Sequence, residues 1–216
     1  MNNELDRASD ADDLSDLYAQ TLYVLRESRK AMLKQYAADN EAGLLEKITH
    51  GELAEHPAYE HYLSALIIEQ MRAQVRAQAA RQLSGASEDH GADVSVHLML
   101  KGKIEEHYAH RLSEPVRLTH DALLLSFDTA LMVEVRYFSC DEYSIGWVWG
   151  EAELRIDTAP VHAACCATFP HHLHDDTAVL RADTRTAPGA SSWPNFRRLI
   201  DVLLDDPLLE KGSDLK

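Results

Sequence analysis

The spacing of apolar residues changes period once along this chain, and that change predicts an α+β fold. Up to about residue 83 apolar side chains recur at helical intervals. From Leu123 to Asp157 they alternate with period two. Such a chain should form helices first and then an antiparallel sheet.

Residues 12–36 place Leu14, Leu17, Tyr18, Leu22, Leu25, Met32, Leu33 and Tyr36 on one helical face. Acidic Asp10, Asp12 and Asp13 precede basic Arg29, Lys30 and Lys34, which suits the helix dipole. A short amphipathic helix is predicted over 41–48, ended by Gly51. A second long helix is predicted from His56–Pro57 to about Leu83, with Pro57 in its first turn. Together these read as a helical hairpin over 1–84. Two readings of the hairpin remain open: a dimerisation arm, or a pair of helices packed on the rest of the chain. Residues 84–93 are small, polar and Gly-containing, which marks a linker. The α+β domain with the antiparallel sheet is therefore set at 94–216.

In that domain, 94–112 is ambiguous between strand and helix. Leu123, Leu125 and Phe127 then alternate, followed by Leu131, Val133, Val135 and Tyr137, and by Tyr143, Ile145, Trp147 and Trp149. Turn residues lie at Asp128–Thr129, at 139–141 and at Gly150–Glu151. The reading is a meander of about four or five strands. One of its faces is apolar and aromatic, and the other carries Glu134, Arg136, Glu151, Glu153, Arg155 and Asp157. A last helix follows, with Ser192 as cap, Pro194 in the first turn and Pro207 as the stop. Its stripe of Phe196, Leu199, Ile200, Leu203 and Leu204 should cover the apolar face.

Composition limits the function classes. Hydrophobic residues make up 45% of the 216, enough for a core. No apolar run approaches the roughly 20 residues needed to span a bilayer, and the polar N-terminus does not read as a signal peptide. Three cysteines, two of them adjacent, suit a reducing cytoplasm. The net charge of −15 gives no general attraction to nucleic acid. An RNA substrate would need a local positive patch.

The chemistry-bearing stretch is 155–176, RIDTAPVHAACCATFPHHLHDD. Arg155 and Asp157 are two apart in a predicted strand and leave one face of it. His172 and His174 share a side if their run is extended. Imidazoles near neutral pKa beside an arginine can move protons and hold a phosphate, which suits metal-independent RNA cleavage. A metal is weighed against this. Only His172-x-His174 forms a local ligand pair, so the spacing is poor for structural zinc, and neither a resident metal nor a cofactor is expected. Cys165 and Cys166 lack a flanking cation and read as small buried hydrophobes.

The run RIDTAPVH with TFPHHLH resembles the TumE family of toxin–antitoxin proteins. That family's pattern is Arg, an aromatic, Asp-Asn, a small residue, Pro and His-His, followed by Phe-Pro-x-His-x-His. Arg155, Asp157, Pro160, His162, Phe169, Pro170, His172 and His174 match it, and the aromatic strand before them is present. Ile156, Thr158, Val161 and Leu173 depart from it. The resemblance covers about 115–206. It implies a toxin-type protein acting on RNA or the translation machinery, and a cognate antitoxin as partner. In that role Arg155 would hold phosphate and His172 and His174 would exchange protons, with His162 and Asp157 orienting them. The other reading is a non-catalytic cytoplasmic interaction protein that forms a homodimer through its N-terminal helices.

Overall fold

The computed structural model describes residues 2–84, 95–163, 167–177 and 179–210. The order is α1 (Asn2–Gln35), α2 (Glu41–Thr49), α3 (Glu55–Ser84), α4 (Val96–Tyr108), β1 (Arg117–Leu118), β2 (Leu123–Ser126), β3 (Met132–Tyr137), β4 (Tyr143–Trp149), β5 (Ala152–Asp157), β6 (His172–His174), β7 (Leu180–Ala182) and α5 (Ser192–Leu203). This is the α+β architecture that the change of period predicts. The predicted linker from Gly85 onward, and Cys165 and Cys166, lie outside the described residues.

The strands form one antiparallel meander in which each pairs with the next, β1 through β7. Its apolar face takes alternate residues from β3, β4 and β5, among them Val133, Val135, Tyr143, Ile145, Trp147, Leu154 and Ile156. Helices α4 and α5 cover that face with Leu100, Ile104, Phe196, Leu199, Ile200 and Leu203. Each such fully buried side chain contributes roughly 1.5–3 kcal/mol of transfer free energy. The N-cap of α5 is Ser191 rather than Ser192, and it makes no side-chain capping bond.

Two sequence expectations need correction or completion. Among the described residues the sheet has seven strands, not four or five. Strands β6 and β7 contain three residues each, too few to display an alternating pattern. The ambiguous stretch after the linker is helical as α4. Its buried His97, Leu100, Ile104 and Tyr108 follow the helical spacing.

The helical hairpin packs on the sheet. Leu33, Leu44, Ile48, Tyr59, Tyr62 and Leu63 make a second core, which Ala159 from beyond β5 joins. Asn40 caps α2 by accepting from the Gly43 amide at 2.9 Å. Helix α3 lies against the polar face of the sheet and is tied to it by side-chain hydrogen bonds. Tyr59 pairs with Thr158 at 3.0 Å, Tyr62 donates to Glu142 at 2.8 Å, and Ser64 donates to Asp121 at 2.6 Å while accepting from Arg136 at 3.0 Å. Both faces of the central strands are thus covered, one by apolar packing and the other by a polar network. Among the described residues no helix is long and apolar enough to cross a membrane.

Candidate functional site

The site lies where the N-terminal end of α3 meets β5 and β6. Antiparallel register sets Asp157 opposite His172 and Arg155 opposite His174, with Ile156 and Leu173 between them. Period two sends Ile156 and Leu173 into the apolar core. It sends the four polar side chains to the face under α3. Glu55 comes from the helical side. His56 is extended, with φ −98° and ψ 132°, as a residue before proline prefers, so regular helix starts only after Pro57. The Glu55 carboxylate reaches the sheet from this extended lead-in.

Glu55 Oε1 lies 2.8 Å from His172 Nε2 and 3.2 Å from His174 Nε2. The two histidine Nε2 atoms are 3.0 Å apart. Asp157 places one oxygen 3.6 Å from His172 Nε2 and the other 3.6 Å from His174 Nε2. His162 Nε2 meets the second Glu55 oxygen at 2.8 Å. His162 sits in a left-handed backbone conformation, φ 63°. Exposure rises outward through the cluster: the side chains of His172, His174 and His162 are 0%, 17% and 33% exposed.

A supporting ring fixes these groups. His172 Nδ1 donates to the Pro170 carbonyl at 2.9 Å. Asp157 accepts from the Ala159 amide and from Arg155 Nε, each at 3.0 Å. Arg155 Nη1 binds Glu60 at 2.9 Å and also contacts His56 Nδ1. Burial raises the Asp157 carboxyl above the usual carboxylate range, and the nearby Glu55 charge adds to the rise. His172, Arg155 and His174 oppose it. Burial also acts to raise Glu55, but hydrogen bonds from His172 and His174 outweigh it, and the group sits well below its ordinary value. Burial lowers His172, yet the Glu55 bond and the Asp157 charge leave it raised overall.

All five residues singled out in the sequence, Arg155, Asp157, His162, His172 and His174, come together here. The Arg155 side chain is 9% exposed, and its guanidinium is engaged by Asp157, Glu60 and His56. Sequence reasoning missed Glu55, His56 and Glu60. The local signal was the His56–Pro57 step, which forces an extended residue ahead of the helix and frees Glu55 from the helical face.

A family model described as the uncharacterized protein MJ0235 family matches residues 11–87. The match takes in the helical hairpin with Glu55, His56 and Glu60, and is less than half of the chain. It lies outside the stretch that resembles TumE. No curated protein and no solved structure matches the chain.

Proposed function

We propose that the cluster of Glu55, Asp157, His162, His172 and His174 is a hydrolytic centre, and that the chain is a TumE-like, toxin-type cytoplasmic protein acting on RNA or the translation machinery. The observation that carries this reading is the convergence of three histidines and two carboxylates from distant segments on one cluster that reaches solvent through His162 and His174. The roles differ from those read in the sequence. His174 and His162 are the imidazoles that solvent reaches, so they take the proton-transfer work. His172 is closed to solvent and orients Glu55. Arg155 holds Asp157 and Glu60.

The test is incubation of the purified chain with total RNA, beside expression alone in a bacterial host with growth followed. Cleavage by the wild type that is lost in His174→Ala supports the reading. Intact RNA with the wild type, or equal cleavage by the variant, refutes it. Copurification of a neighbouring-gene product with the wild type would supply the antitoxin.

A second reading is a non-catalytic protein that forms a homodimer through its N-terminal helices. It is favoured by Leu17, Tyr23 and Val24 on α1, which are 56%, 59% and 46% exposed. Light scattering decides it: a dimer that Tyr23→Glu dissociates supports this reading, and a monomer at high micromolar concentration refutes it.

A further inference from the structure

We infer that Glu55, Asp157, His172 and His174 bind one divalent first-row transition-metal ion of the zinc class. This goes beyond the hydrolytic reading and stands without it, since an ion can be bound whether or not RNA is cleaved; with the ion bound His174 Nε2 is a ligand, and proton transfer falls to His162 alone.

The first argument is stereochemical. Because His172 Nδ1 donates to the Pro170 carbonyl, a neutral His172 ring carries its lone pair on Nε2. That lone pair faces Glu55 Oε1 and His174 Nε2, at 2.8 and 3.0 Å. One donor atom from each of Glu55, Asp157, His172 and His174 lies within 4.8 Å of the other three. Four electron-pair donors thus surround one point. Protons can bridge some of these contacts, whereas one cation satisfies every donor together.

The second argument is size. A tetrahedral ion with bonds of about 2.0–2.2 Å sets its ligand atoms about 3.3–3.6 Å apart. The Glu55 and histidine donors lie 2.8, 3.0 and 3.2 Å apart. Asp157 reaches His172 and His174 at 3.6 Å through different oxygens, and one donor atom per residue lies within 4.8 Å of the others. Shifts of up to about 1 Å therefore bring the four donors to bonding distance.

The third argument is charge. Glu55, Asp157 and Glu60 bring three negative charges and Arg155 one positive, leaving two negative charges once the histidines serve as neutral ligands. A divalent ion neutralises the pocket, and an anion entering it alone would be repelled. The supporting hydrogen bonds to Pro170, Ala159 and Arg155 are the kind that orient ligand side chains. Two imidazoles with two carboxylates favour zinc, iron, cobalt or nickel over calcium or magnesium, which prefer oxygen alone. The sequence spacing argued against a metal because Glu55 stands 117 positions before His172 and is joined to it only by the fold.

The test uses the full chain, stripped with chelator and titrated with cobalt(II) and then zinc(II). We expect one equivalent of cobalt to give the intense visible band of a four-coordinate ion, and zinc to abolish that band by displacement. His174→Gln, and Glu55→Gln as a second variant, should each lower affinity by about 100-fold or more while keeping the far-ultraviolet circular dichroism. Two results would overturn the inference: no band and no heat of zinc binding with the wild type, or wild-type affinity in whichever variant folds.

Discussion

Arg155→Met tests what the arginine is for. If Arg155 were a phosphate-holding side chain, replacing it would leave the fold untouched. Its surroundings predict otherwise. Nε lies 3.0 Å from Asp157, and Nη1 lies 2.9 Å from Glu60. Asp157 is 0% exposed and Glu60 is 7% exposed, so methionine leaves two buried carboxylates without their counter-charge. Breaking a buried pair from one side costs about 3–5 kcal/mol, most of it the stranded charge. Methionine fills much of the volume, which keeps a cavity contribution small. With a urea slope of about 2 kcal/mol per molar, the midpoint should fall by about 1.5–2.5 M. The assay is urea unfolding at pH 7.5 in excess chelator, followed by tryptophan fluorescence and circular dichroism. Arg155→Lys keeps the charge but loses the two-pronged geometry, and should lie between the two. A loss under about 1 kcal/mol for Arg155→Met would refute the structural role and return Arg155 to ligand binding.

Three further outcomes follow from the same coordinates. Burial, reinforced by Arg136, pushes the His97 pKa down to about 4, while Asp121 opposes the shift. The neutral ring accepts from the Tyr137 amide at 3.0 Å. The unfolded chain takes up that proton near pH 6.5, so stability is complete above that value and declines as pH falls towards 4, by about 3 kcal/mol in total. Urea midpoints across this window should show a steeper acid loss for the wild type than for His97→Gln, and parallel slopes would defeat the assignment. Phe196→Ala empties a fully buried site between α5 and the sheet and should cost about 3–5 kcal/mol by the same unfolding assay, whereas a loss under about 1 kcal/mol would contradict its packing. Zinc should slow amide hydrogen exchange in the first turns of α3 by about tenfold or more while leaving β3 unchanged, because Glu55 alone joins the hairpin to the ion; equal exchange with and without zinc would sever that link.

The parts of the fold legible in the sequence are those with enough residues to show a period. Strands β3 and β4 span six and seven residues, and their alternation predicts both the pairing and the apolar face. Helix α5 shows its stripe just as plainly. Helix α4 was obscured because Val96 and its neighbours look like a strand, although His97, Leu100, Ile104 and Tyr108 already carry helical spacing. Strand β6 holds one core residue, Leu173, between two histidines, so nothing in its own pattern separates strand from loop. The histidines of the site were visible by residue type and by their shared side. Their carboxylate partner was not, because only the docking of α3 onto the sheet brings Glu55 to them.

The same docking explains why the site is where it is. An antiparallel sheet can leave its second face to water, and a polar second face normally needs no partner. Here α3 covers that face, so each polar group beneath it must find a bond inside the protein. Ser64 with Asp121 and Arg136, Tyr62 with Glu142, and Tyr59 with Thr158 each match donors to acceptors. Arg155 bonds one oxygen each of Asp157 and Glu60, and among the described residues Glu60 Oε2 is left without a partner. Towards β6 the balance changes, since the Glu55 and Asp157 carboxylates only accept, and a neutral His172, whose Nδ1 hydrogen goes to Pro170, presents Nε2 as one more acceptor. There His174 and His162 reach solvent, so a cation or a proton can enter from outside. Covering the rest of the polar face demands internal pairing. The acceptor surplus at its open end suits the proposed ion rather than another structural bridge.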